Sequence, residues 1–155
     1  MPRSRTTWIV VADGSRARFL ASETASAPLT IVEELDEPEA RQPTKALGSD
    51  RPGRGGDAVS ASRHAMQPRV DWHTQAKERF AIDLARRIDA AADNKQFDAL
   101  VIVAPSRTLS DIDRKLKAAT KRLLVEKVAK DLTRVPLSAL PARLRPIIRR
   151  RPLTV

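Results

Sequence analysis

At 155 residues with a formal net charge of +10, the chain has the length of one domain and can bury a core without covalent staples. It has no cysteine, which excludes disulfides, thiol nucleophiles and thiolate metal sites together. The basic N-terminus carries an apolar run of only Trp8 to Ala12. A signal-peptide core needs about 7–15 such residues and a membrane span about 18 or more, so a cytoplasmic, soluble protein with no membrane partner is expected.

Thr6 to Ala12 is β-branched and apolar, as in a buried strand. Asp13-Gly14-Ser15 is a turn signal, and Arg16 to Ala21 reads as the return strand of a tight hairpin. Ala17 and Phe19 then face one way and Arg16 and Arg18 the other. Leu29 to Leu35 reads as a third strand, within an acidic run of Glu33, Glu34, Asp36, Glu37 and Glu39.

Residues 48–69 follow, with Gly48, Gly53, Gly55 and Gly56 interleaved with Arg51, Arg54, Arg63 and Arg69. This segment has too little apolar surface to form a core, so it is expected to be a long mobile loop, a kind that often carries function. From Asp71 to about Asp93, Phe80, Leu84 and Ile88 recur at helical spacing, broadened by Ala81, Ala85 and Ala92. Phe97 to Ala104 is near-continuously apolar, the pattern of a strand buried on both faces.

A second helix is expected from a capping box at Ser110 and Asp113, carrying Ile112 and Leu116 inward. It should end near Leu124, with a short strand running on to Lys130. Leu137, Leu140 and Leu144 predict a third helix, shortened or broken by Pro141 and Pro146, and residues 146–155 read as a basic, frayed tail. The fold class is α/β, in the order β-β-β-α-β-α-β-α, within a single domain over residues 1–145. A meander followed by helix-linked strands describes a ribonuclease H-like three-layer domain around a mixed five-stranded sheet.

Three phrases, WIVVADGSRARFL, WHTQAKERFAIDLARRI, and ALVIVAPSRTLSDIDRKL followed by VAKDLTRVPLSAL, resemble the bacterial host attachment protein family, whose members are named as required for attachment to host cells. The resemblance runs from about Thr6 to Leu144. That family is similar to the central domain of archaeal and eukaryotic peptide-release factors, which implies a ribonuclease H-like fold. It also implies a Gly-Gly-Gln tip on the loop before the long helix. This chain has Gly55-Gly56-Asp57 there. Aspartate in place of glutamine argues against peptidyl-tRNA hydrolysis and leaves the loop either a docking role or flexibility alone.

Other constellations have structural readings. Asp13 sits where ribonuclease H chemistry would place a carboxylate, but the buried strand ends in Val103-Ala104-Pro105-Ser106 without a second acid, and two-metal catalysis needs several. His64 and His73 lack metal-ligand spacing, so no metal, cofactor or catalytic residue is expected. Ser106 and Arg107 follow the buried strand at a helix entry, where α/β proteins tend to bind anions. With no tyrosine, two tryptophans and three phenylalanines, a base-stacking surface is not supported.

Arginine outnumbers lysine 21 to 8, and basic residues crowd Lys115 to Lys130 and Arg143 to Arg151. Arginine gives bidentate phosphate contacts that lysine does not. The leading expectation is a non-catalytic, release-factor-like module that binds the ribosome or structured RNA. Its anion-binding residues would be Arg51, Arg54, Gly55, Gly56, Asp57, Arg63, Arg69, Ser106 and Arg107. The alternatives are a host-attachment factor acting through protein partners, and a hydrolase of RNA or peptidyl-tRNA using Asp13, or Asp57 with a histidine.

Overall fold

The computed structural model describes residues 5–23, 28–41 and 55–149, with side chains of the long helix described from Thr74 onward. It is an α/β fold around a mixed five-stranded sheet in the order β3-β2-β1-β4-β5. Strand β1 (Thr7–Ala12) turns at Asp13-Gly14-Ser15 into antiparallel β2 (Arg16–Ser22), which pairs antiparallel with β3 (Thr30–Asp36). On its other side β1 pairs in parallel with β4 (Ala99–Ala104), and β4 pairs in parallel with β5 (Leu124–Ala129). Every residue of β1 and β4 is buried, as their unbroken apolar runs require of central strands.

The pleat divides the sheet's side chains between two cores. Trp8, Val10, Ala12, Ala17, Phe19, Leu100 and Ile102 point to one face. There they meet Phe80, Leu84 and Ile88 of α2 (Gly55–Asp93) and Ile112 of α3 (Ser106–Lys115). Ile9, Val11, Leu20, Val101 and Val103 point to the other, under Leu132 and under Leu140 and Leu144 of α5 (Leu140–Arg149). Single-turn helices α1 (Pro38–Arg41) and α4 (Ala118–Lys121) complete the described chain.

Four sequence expectations are corrected. Residues 55–69, read as part of a mobile loop, are helical backbone continuous with the helix expected from Asp71. That segment has no apolar stripe, but Ala58, Ala61, Arg63, Ala65, Met66 and Gln67 have adequate helix propensity. Once the half from Thr74 is held on the sheet, propagation costs far less than nucleation, and this is set against the hydrogen bond that Pro68 removes. The rest of the expected loop, residues 48–54, lies outside the described residues.

The second helix starts at Ser106, not Ser110, because Pro105, with φ −57° and ψ 152°, ends β4 and opens the helix directly. It ends at Lys115 and Leu116 turns extended; the expected continuation to Leu124 is only α4 and a turn. The last helix runs through Pro146 to Arg149, so residues 146–149 are not tail. Burial of Leu140 and Leu144 holds it against the one hydrogen bond that Pro146 removes.

Helix α2 ends in a Schellman arrangement: Gln96 N–H donates to Ala91 C=O at 2.9 Å and Lys95 N–H to Ala92 C=O at 3.0 Å. Lys95 takes the left-handed conformation, φ 56°, that glycine usually fills there.

Candidate functional site

In a sheet of this topology the chain leaves β1 toward β2 and leaves β4 toward β5. The carboxyl ends of β1 and β4 therefore flank a switch point, where α/β folds most often bind ligands. Three segments converge there: Asp13-Gly14-Ser15 after β1, Pro105-Ser106-Arg107 after β4, and Lys130 to Thr133 after β5.

The Asp13 carboxylate is committed to structure. Its Oδ1 accepts the Ser15 N–H at 2.7 Å, the Arg16 N–H at 2.6 Å and the Ser15 hydroxyl at 3.3 Å. Its Oδ2 lies 2.9 Å from the Thr133 hydroxyl, which is also 2.6 Å from Asp131 Oδ1. One hydroxyl proton serves one carboxylate at a time, so Thr133, 1% exposed, links the β1 turn to the segment after β5. Gly14 lies beneath Lys77 of α2, whose aliphatic carbons would be 3.3 Å from an added Cβ.

Beside this turn, Thr74, Lys77, Glu78, Arg107 and Asp111 line a cleft of about 180 Å³ between α2 and α3. Arg114 pairs with Asp111, whereas Lys77 and Arg107 pair with none of the described residues. A larger cavity of about 550 Å³ lies at the same end of the sheet, toward the β3 edge, lined by Leu35, Asp36, Glu37, Phe80, Asp83, Arg86 and Arg87; the Glu37 N–H donates to Ser15 C=O at 2.7 Å. Both mix charges of the two signs. Among the described residues no group of three or more His, Asp or Glu side chains is placed to hold a metal ion.

Of the predicted anion-binding residues, Arg51 and Arg54 lie outside the described residues. Gly55, Gly56, Asp57, Arg63 and Arg69 belong to the helical backbone of α2, with their side chains outside the described set, as are those of His64 and His73. Gly55-Gly56-Asp57 therefore begins a helix and does not form a loop tip. Ser106 and Arg107 lie in the first turn of α3 and not ahead of it, both exposed, and Arg107 reaches the cleft.

The charge distribution is the feature that the individual candidates do not convey. The acidic run of β3 is answered within the fold. Arg87 of α2 pairs with Glu33, and Arg16 and Arg18 approach Asp36 and Glu34 across the β2–β3 ladder at 4.0 Å each. Arg18 also donates to Val135 C=O at 2.6 Å. In the last third of the chain, Lys117 and Lys127 pair with Asp93 and Asp113. Lys121, Arg122, Lys130, Arg134, Arg143 and Arg145 are exposed and pair with none of the described residues. The first four flank β5, an edge strand, and the last two lie on α5. Lys77, Arg79, Arg86, Lys95 and Arg107 are likewise exposed and pair with none of the described residues, so the unpaired positive charge extends over α2 and α3 as well as the β5–α5 side.

Among the described residues no aromatic side chain shares that surface. Trp8 packs against Phe19 and Phe97 with ring centroids 5.8 and 5.1 Å apart, and Phe80 is buried in the same core. No helix among the described residues is long and apolar enough to cross a membrane.

Residues 8–144 match the model of a family described as "Protein required for attachment to host cells". The chain belongs to that family. Among solved structures it is similar to an archaeal translation termination factor, aRF1, at 11% identity and a TM-score of 0.48. The match covers 89% of this chain and 37% of that one, so the chain spans little more than a third of that protein. No curated protein matches the sequence.

Proposed function

We propose that this member of the host attachment family is a non-catalytic binding module that docks structured RNA, such as ribosomal RNA, through the basic β5–α5 surface. The observation that carries this reading is the contrast between the two charge populations. The acids of β3 are met by Arg16, Arg18 and Arg87, whereas Lys121, Arg122, Lys130, Arg134, Arg143 and Arg145 are exposed and pair with none of the described residues, with Asp131 and Glu126 the acids nearest to them in the chain. Such a surface attracts polyanions, and displacement of counterions from phosphates supplies the affinity. The committed Asp13 carboxylate and the mixed-charge clefts favour binding over hydrolysis. In this reading residues 1–145 form one ribonuclease H-like module, a view supported by the strand order and by helices on both faces of the sheet.

Cosedimentation of the protein with ribosomes, at low and at raised salt, tests the proposal. Salt-sensitive comigration that falls when Arg143 and Arg145 are replaced by alanine supports it. Migration only in the top fractions at low salt removes it.

Family membership favours a second reading, attachment to host cells through a protein partner. Immunodetection of the protein on intact cells tests it. A signal that appears only after lysis leaves attachment as an indirect consequence of another activity.

A further inference from the structure

We propose that the basic surface takes RNA as a double helix, gripping phosphates across the β5 edge, in preference to unpaired strands. This inference rests on the RNA-binding reading above and specifies its substrate.

The basic pairs are spaced along a fixed stretch of backbone. Lys121 and Arg122 precede β5, while Lys130 and Arg134 follow it. Pairing with β4 fixes that six-residue strand in the sheet. At about 3.3 Å per residue, the strand holds the two basic pairs roughly 20 Å apart. Arg143 and Arg145 supply a third pair on α5, which Leu140 and Leu144 anchor to the opposite face of the sheet from α2. A duplex presents phosphates at fixed positions over such a distance and meets cations carried on a fixed backbone, so that only their side chains lose freedom. An unpaired strand must be ordered along the same path, which subtracts from its affinity.

Unpaired RNA needs more than phosphate contacts. Proteins that hold single strands stack the bases on aromatic side chains, at about 1–3 kcal/mol per base. All three phenylalanines and Trp8 are instead buried in the core beneath α2. No aromatic side chain among the described residues lies beside the exposed lysines and arginines. Phosphate contacts without stacking are the means by which double-helical RNA is recognised, largely through shape and backbone.

The test is fluorescence anisotropy of the full chain with a labelled RNA duplex of about 16 base pairs and with an unpaired uridine strand of equal phosphate count, at the same salt. Tryptophan emission is followed in parallel. The expected result is at least roughly tenfold tighter binding of the duplex, with tryptophan emission unchanged by either RNA. Duplex binding should weaken both in Lys121→Ala/Arg122→Ala and in Lys130→Ala/Arg134→Ala, while far-ultraviolet circular dichroism stays unchanged. Equal or tighter binding of the unpaired strand, or quenching of tryptophan by it, would overturn the inference and leave the RNA-binding reading standing. A DNA duplex of the same sequence bound more tightly than the RNA would overturn the assignment to RNA. Absence of salt-sensitive binding to any of the three would remove both readings.

Discussion

Replacing Asp13 with alanine should loosen the carboxyl end of β1. The substitution removes the acceptor for the Ser15 and Arg16 amides, at 2.7 and 2.6 Å, and the oxygen facing Thr133 at 2.9 Å. Hydrogen bonds to a charged partner contribute about 1.5–3 kcal/mol each when desolvated. Two circumstances reduce the sum. Asp13 is half-buried, so water replaces part of what the amides lose, and Thr133 keeps its contact with Asp131 at 2.6 Å. A net loss of about 2–4 kcal/mol follows, which in a chain of 155 residues lowers Tm by about 5–12 °C. Urea unfolding followed by tryptophan emission measures it, because Trp8 lies in β1 itself. Asp13→Asn keeps an acceptor oxygen and should lose only about 1 kcal/mol. An alanine variant within about 0.5 kcal/mol of the parent would refute the fastening role and return Asp13 to the groups free for chemistry.

Other substitutions test the frame that holds the surface. Leu84→Ala, at a fully buried position of α2, should cost about 3–5 kcal/mol in denaturant unfolding; a loss below about 1 kcal/mol would mean that α2 is not seated on the sheet as described. Lys95→Gly, at φ 56°, should raise stability by about 0.5–1 kcal/mol, and destabilisation would contradict the left-handed cap. Gly14→Ala should change stability by less than about 0.5 kcal/mol, because φ of Gly14 lies outside the left-handed range and the crowding atoms belong to the flexible Lys77 side chain. A Tm drop as large as that of Asp13→Ala would show that the turn needs glycine.

Much of the sheet was legible in the sequence because burial leaves local signatures. The unbroken apolar runs of β1 and β4 marked strands buried on both faces, and the alternation of Ala17 and Phe19 with Arg16 and Arg18 gave β2 its two sides. Phe80, Leu84 and Ile88 marked the half of α2 that touches the sheet. The half from Gly55 has no such stripe, and its glycines and arginines read as loop; its helicity depends on continuation from a packed neighbour, which no local pattern encodes. The start of α3 was missed for a related reason: Pro105 opens it without a side-chain cap, while Ser110 and Asp113 imitate a capping box inside the helix.

The candidate site was legible in composition but not in connection. The basic crowding after Lys115 is plain in the sequence. Which cations remain without a partner depends on contacts such as Arg87 with Glu33, 54 residues apart, and Lys117 with Asp93, 24 apart. The reading of Asp13-Gly14 as a turn agrees with the structure, but the Thr133 hydroxyl that secures it comes from 120 residues away. No spacing rule reaches that far.

The most direct test of the central claim is the salt dependence of binding to a structured RNA hairpin. If the six exposed cations of the β5–α5 side displace counterions, log K should fall linearly with log salt concentration. At about −0.9 per neutralised phosphate, engaging four to six of them gives a slope of roughly −3.5 to −5.5. Arg143→Ala/Arg145→Ala should bring that slope closer to zero by about 1.8. A slope near zero in the parent protein, or one that the double variant leaves unchanged, would contradict the account.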